Sequence, residues 1–175
     1  MEHALRLGAV LTQDTTVTGE RFEDFFELEH ERLLRALYLV TGNRTEAEDI
    51  MQEAFVKVLE RWDTVRFMDD PTGYLFRTAL NRYRSRVRRA GRAARKAVGQ
   101  AHGGDGFAEA DDRVEIARAL ADLSPRRREA IVLTELLGYG SAEAGRLMGV
   151  ADATVRRLAQ DARAELKTTL EVRDA

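Results

Sequence analysis

The sequence predicts an all-α protein built from two small helical domains, a three-helix bundle and a helix-turn-helix unit, joined by a flexible linker. Three observations carry that prediction. Apolar residues recur at steps of three and four, which marks one buried face of a helix. No segment shows the strict alternation of a half-buried strand. Between the two helical stretches, Gly99, Gly103, Gly104 and Gly106 cluster among small and charged residues without periodicity, as in a linker.

The first domain is expected over residues 20–90, after a flexible tail at 1–19. Phe22, Phe25, Phe26, Leu33, Leu34, Leu37 and Tyr38 mark the inner face of a first helix. Thr45 and Glu48 have the spacing of a capping box and predict the start of a second. Its core face reads Ala47, Ile50, Met51, Ala54, Phe55, Val58, Leu59 and Trp62. A polar stretch from Asp63 to Asp70 follows. Asp70 as N-cap and Pro71 at the first helical position start a third helix, buried through Leu75, Phe76, Ala79, Leu80, Tyr83 and Val87.

The linker is expected over residues 91–112 and the second domain over 113–175. Ile116, Leu120 and Leu123 share one face, and Ser124-Pro125 is another cap-plus-proline start. Gly138-Tyr139-Gly140 breaks the helix that follows. Ser141 is expected to cap a short helix, Gly149 to end it, and Asp152 to cap the last one. Val155, Leu158, Ala159, Ala162 and Leu166 line the inner face of that last helix.

Composition narrows the function. The chain has no cysteine, so disulfides and thiolate metal sites are excluded. No run approaches the ~20 apolar residues of a membrane span, and the first twenty residues lack a signal-peptide core. The expectation is a cytoplasmic protein without membrane insertion. The three histidines are far apart and no phosphate-binding loop is present, so no enzyme, metal or cofactor is expected. The net charge of −2 conceals a segregation: residues 1–70 carry 8 basic and 16 acidic side chains, residues 71–104 carry 9 basic and none acidic, and residues 105–175 carry 11 basic and 14 acidic. Nine unopposed cations point to a polyanion near the middle, and the acidic first segment to a different partner.

Three constellations stand out. Ser141 to Leu166 describes a helix-turn-helix, with Gly149 in the turn and Thr154, Arg156, Arg157, Gln160, Arg163 and Lys167 outward on the second helix. An αα-hairpin in a plain bundle would share that spacing. On the third helix, Tyr74, Arg77, Asn81, Arg84 and Arg88 form one exposed stripe, flanked by Arg82, Arg86 and Arg89. An aromatic beside amide and guanidinium groups suits single-stranded DNA, where a base stacks and phosphates are held; a tyrosine packed at the core edge is the simpler alternative. Asp49, Gln52 and Glu53 point outward on the second helix, where in isolation they would be ordinary solvated residues.

Together these segments resemble the sigma-70 family of bacterial transcription factors, in its extracytoplasmic-function branch. Thr45-Glu46-Ala47-Glu48-Asp49-Ile50-Met51-Gln52-Glu53-Ala54-Phe55 is similar to the signature of sigma region two, and Tyr74-Leu75-Phe76-Arg77-Thr78-Ala79-Leu80-Asn81 to the segment that follows it. Leu123 to Ala130 resembles the start of region four, and Gly149 to Arg156 its recognition helix. The resemblance implies a factor that directs core RNA polymerase to promoters and supports their melting. Asp49, Gln52 and Glu53 would dock on the β′ clamp helices. Arg66 and Phe67 in the loop, with Tyr74, Arg77, Asn81, Arg84 and Arg88, would hold the minus-ten element as a single strand. Thr154, Arg156, Arg157, Gln160 and Arg163 would bind the minus-thirty-five element as a duplex, with the β flap as a further contact. An anti-sigma factor is a further class of partner, which the sequence does not decide.

The chain departs from the family pattern at several points. Tyr74 stands where tryptophan is usual, Leu158 where arginine is usual, and Asp161 where a basic residue is usual. Gly145 costs the first helix of the motif roughly 1 kcal/mol relative to alanine. Such a region four would bind its element weakly or read a divergent one. That motivates one alternative, a sigma-like interaction protein that binds polymerase or an antagonist without promoter recognition of its own. A duplex-binding repressor is another, but it needs neither the single-strand stripe nor the acidic helix.

Overall fold

The computed structural model describes residues 21–96 and 112–173, which form two compact all-helical units. The expected tail at 1–19 and most of the expected linker lie outside these residues.

The first unit holds α1 (Phe22–Thr41), α2 (Arg44–Leu59), the single turn α3 (Trp62–Val65) and α4 (Pro71–Lys96). Phe25, Leu33, Leu37 and Val40 of α1 meet Ala47, Ile50, Ala54, Phe55 and Val58 of α2 and Leu75, Phe76, Ala79, Leu80 and Tyr83 of α4, all buried. Each large side chain so buried contributes roughly 1.5–3 kcal/mol. One end of this core is aromatic: Phe26 lies 4.7 Å from Phe55, and Phe25 lies 5.1 Å from Trp62, between ring centroids.

Several local details differ from the sequence reading. Gly42 ends α1 in the left-handed region at φ 70°, and Asn43 caps α2, its side-chain oxygen accepting from the Glu46 N–H at 2.9 Å. The helix thus begins before Thr45, and Glu48 pairs with Arg44 at 2.9 Å instead of closing a capping box. Leu59 stays 52% exposed, because at 100° per residue it is turned away from the face that ends in Val58. The stretch after α2 is not wholly polar loop: α3 forms there, and fully buried Val65 pins it to the core. Asp70 does start α4, its carboxylate accepting from the Gly73 N–H at 2.7 Å. That helix passes through Gly91, the expected start of the linker, and continues to Lys96. One glycine costs about 1 kcal/mol, which the surrounding arginines and alanines, good helix formers, offset.

Glu29 is the buried charge of this unit. It accepts from the Thr72 hydroxyl, in the first turn of α4, at 3.0 Å, and its other oxygen lies 3.9 Å from Arg32. Loss of hydration pushes its carboxyl pKa up, opposed by the Thr72 bond and the Arg32 charge and reinforced by nearby Asp70. A carboxyl held above its unfolded value contributes stability at low pH that is lost as pH rises through the native pKa. Glu29→Gln keeps an acceptor for Thr72 and removes that loss. Thermal unfolding across a pH series should show a flatter profile for the variant and a higher melting temperature near neutrality. Superimposable profiles would show that Glu29 does not carry this linkage.

The second unit holds α5 (Asp112–Ala121), α6 (Pro125–Ile131), a π-helical continuation (Val132–Leu136), α7 (Ser141–Met148) and α8 (Asp152–Arg173). Val155, Ala159 and Ala162 of α8 are buried with Ala130 and Ile131 of α6 and Ala144, Leu147 and Met148 of α7. Helix α5 packs through its C-terminal half, Ala119 and Leu120, so Ile116, expected in the core, keeps 38% of its surface. Ser124 occupies the N-cap position before Pro125, but its hydroxyl makes no capping bond. Gly138 turns the chain at φ 73°. Gly140 rather than Ser141 precedes α7, and Glu143 reaches back to accept from the Gly140 N–H at 3.0 Å. Asp152 is the first residue of α8, where its carboxylate accepts from the Ala153 N–H at 2.6 Å.

Candidate functional site

In the first unit, the inward run of Ala47, Ile50 and Ala54 leaves Asp49, Gln52 and Glu53 exposed along α2. The acids are paired with α4. Arg86 donates to Glu53 at 2.8 Å and lies 3.7 Å from Asp49, and Arg82 lies 3.7 Å from the other Glu53 oxygen. Arg82 and Arg86, which the sequence reading set beside the basic stripe, therefore face the neighbouring helix.

The stripe itself occupies another side of α4. Arg77, Asn81 and Arg88 are exposed, and Tyr74 and Arg84 are half-buried, with Arg84 donating to the Asn81 side-chain oxygen. The Tyr74 backbone carbonyl accepts from the Thr78 hydroxyl at 2.8 Å, one turn further along α4. Phe67 is 76% exposed, with the Arg66 guanidinium 4.6 Å from its ring centre. Arg66 also lies 3.7 Å from Asp63. An exposed ring, a half-exposed ring and several guanidiniums can stack bases and bind phosphates.

In the second unit, α7, the Gly149 turn at φ 68° and α8 form the helix-turn-helix. Arg157 and Gln160 project freely outward and Thr154 is half-buried at the start of α8. Arg156 donates to Asp152 at 2.6 Å, which holds the Asp152 carboxyl below its usual range, and lies within 3.4 Å of the Ser141 hydroxyl. Arg163 donates to Glu135 on the π-helical segment. Asp161, at a position where the family pattern has a basic residue, lies 3.5 Å from Arg127 of α6, which also donates to Glu165 at 2.9 Å. One turn of helix separates Asp161 from Glu165, so the two acids flank α8 on the side that meets α6. The sequence reading missed Glu135 and Arg127 as partners. Among the described residues, no group of three or more His, Asp or Glu side chains is placed to hold a metal, and no helix is long and apolar enough to cross a membrane.

This arrangement matches known proteins at several levels. Residues 25–93 match the family Sigma-70 region 2, and residues 113–166 match Sigma-70, region 4. ECF RNA polymerase sigma factor SigM of Mycobacterium tuberculosis is 28% identical over 157 residues, 88% of this chain and 80% of that protein. ECF RNA polymerase sigma factor SigE of Mycolicibacterium smegmatis is 31% identical over 153 residues, 80% of this chain and 58% of SigE. The fold is that of sigma factor RpoE in its complex with the anti-sigma factor NepR from Bartonella quintana, with a TM-score of 0.77, 24% identity, and coverage of 86% of this chain and 97% of RpoE. CnrH, in complex with the cytosolic domain of CnrY, has a TM-score of 0.63, 24% identity, and coverage of 95% and 96%. With both regions present in order over most of its length, the chain belongs to the sigma-70 family and is an RNA polymerase sigma factor of the extracytoplasmic-function type.

Proposed function

We propose the following division of labour among the residues of this sigma factor. Asp49, Gln52 and Glu53 dock on the β′ clamp helices of core polymerase. Arg66, Phe67, Tyr74, Arg77, Asn81, Arg84 and Arg88 hold the non-template strand of the minus-ten element. Thr154, Arg156, Arg157, Gln160 and Arg163 contact the minus-thirty-five duplex, and the same unit touches the β flap. The domain limits follow the same reading, with residues 20–90 and 113–175 as the working units. The factor performs no chemistry itself, and it acts in the cytoplasm, where polymerase and promoters are. The complexes of RpoE with NepR and of CnrH with CnrY motivate a protein antagonist as a further partner class.

One observation carries this reading: three polar groups stand outward on α2, over a tightly packed inner face, beside a helix that bears base- and phosphate-binding chemistry on another side. Packing of the first unit accounts for the inward residues, whereas of the outward ones Asp49 and Glu53 are held only by half-exposed ion pairs to Arg82 and Arg86. Asp49→Lys with Glu53→Lys should therefore weaken binding of the full chain to core polymerase by about tenfold or more, roughly 1.4 kcal/mol. The helical circular-dichroism signal should be unchanged. Wild-type affinity in a fluorescence titration against core enzyme would refute the docking assignment.

A further inference from the structure

Asp49 and Glu53 do not form a bare acidic patch. They line an open groove of about 550 Å3 between α2 and α4. The charged residues of this groove are three acids, Asp49, Glu53 and Glu60, and three bases, Lys57, Arg82 and Arg86. Its formal charge is thus zero. Inside it, Lys57 donates to Glu60 at 2.9 Å and Arg86 donates to Glu53 at 2.8 Å. Val56, also in the groove, keeps 56% of its surface exposed.

We propose that this two-helix groove, rather than the α2 face alone, is the polymerase-docking surface, and that Arg82 and Arg86 contact polymerase rather than DNA. The proposal rests on the docking reading given above for Asp49, Gln52 and Glu53. Half-exposed ion pairs of this kind hold geometry at little net energy, so a partner can re-pair them at small cost. A partner that covers the groove must then answer both signs, because any charge left unpaired under it would lose its hydration without compensation. The matching surface is a polymerase helix of alternating charge. It would set a cation against Asp49 and Glu53, a carboxylate against Arg82 or Lys57, and a small apolar side chain against Val56.

The geometry also separates the two jobs of α4. At 100° per residue, Arg82 lies somewhat more than a quarter turn, and Arg86 more than a third of a turn, around the helix from the line of Tyr74, Asn81 and Arg88. Docking through the groove would therefore fix the rotational setting of the stripe. Arg82 and Arg86 would act on DNA as positioning residues only, through the helix they hold.

The test is a titration of labelled full-length protein against core polymerase, with promoter opening measured separately at saturating factor. Arg82→Met with Arg86→Met is expected to lower core affinity about tenfold, with nearly unchanged melting temperature, since their ion pairs to α2 are half-exposed and contribute little. Arg88→Met, on the stripe, is expected to keep wild-type core affinity and lose promoter opening. If Asp49→Lys with Glu53→Lys weakens binding while the arginine variant binds normally, docking uses α2 alone and this proposal fails. If the arginine variant binds core normally and opens promoters poorly, the two arginines serve DNA, and the proposal again fails. If neither double variant changes affinity, the underlying docking site is wrong as well.

Discussion

Tyr74→Ala is expected to abolish most promoter opening while leaving core binding intact. Tyr74 stands in the first turn of α4, half-buried, so one part of its ring is held by the protein and the other is offered to solvent. Its neighbour in chemistry is Phe67, the most exposed large apolar residue of the described chain at 76%. A ring left largely in water, with the Arg66 guanidinium against it, on a loop anchored by buried Val65 has no core-packing role to explain it. Stacking of an unpaired base on an aromatic side chain contributes roughly 1–3 kcal/mol, and each 1.4 kcal/mol is tenfold in the equilibrium. Loss of the Tyr74 ring should then reduce the open complex by about five- to a hundredfold. Permanganate reactivity of minus-ten thymines in the holoenzyme complex reports this directly. Tyr74→Phe, which keeps the ring, should open promoters nearly as well as wild type, and Phe67→Ala should fall between. Normal opening by both alanine variants would reduce the stripe to a solvated helix face.

The helices were legible because each carries its own signal. Steps of three and four along Ala47, Ile50, Ala54 and Val58, or along Val155, Ala159 and Ala162, follow from one buried face and require no knowledge of what covers it. Asp70-Pro71 and Gly149 were legible because capping and left-handed turns are chemistry within four residues. The outward places of Asp49, Gln52 and Glu53 followed from the same periodicity.

What stayed hidden is what lies far apart in the chain. Arg86 meets Glu53 across 33 positions, Arg163 meets Glu135 across 28, and Arg127 meets Glu165 across 38. No window of sequence contains such a pair, and a count of charges by segment treats each member as free. The nine cations of residues 71–104 were read as unopposed, yet two of them are already opposed by carboxylates of α2. Asp161 is the same case with the opposite sign: an acid where the family pattern has a base, it lies beside Arg127 of α6, 34 positions away in the chain. The choice of Asn43 over Thr45 as cap was a closer contest between two suitable residues. The left-handed Gly42, which ends α1 immediately before Asn43, settles it.

Gly145→Ala should destabilise the second unit and disable minus-thirty-five recognition, the reverse of what helix propensity predicts. By propensity alone the substitution gains about 1 kcal/mol, since glycine in a helix interior is penalised. In the folded unit Gly145 is buried, and its carbonyl accepts from the Val150 N–H at 3.0 Å as the chain turns from α7 towards α8. A Cβ there would sit 2.8 Å from the Val150 carbonyl oxygen and 3.4 Å from the Asp152 nitrogen. Both are backbone atoms, so relief requires the whole turn to move. Overpacking of this kind costs typically 1–3 kcal/mol, which exceeds or cancels the propensity gain. The displaced atoms lead directly into Asp152, Thr154, Arg156 and Arg157, so the shift is delivered to the end of α8 proposed to meet DNA. Thermal unfolding should show a lower melting temperature for the variant. Transcription should lose most of its dependence on the minus-thirty-five sequence, while core affinity, set in the first unit, stays the same. Gly91→Ala provides the contrast: a Cβ at that position in α4 meets nothing within 4 Å, so the propensity gain should appear undiminished as a small stabilisation. A raised melting temperature for Gly145→Ala, with minus-thirty-five dependence retained, would mean that the turn yields freely and that glycine is not required for the close approach of its backbone.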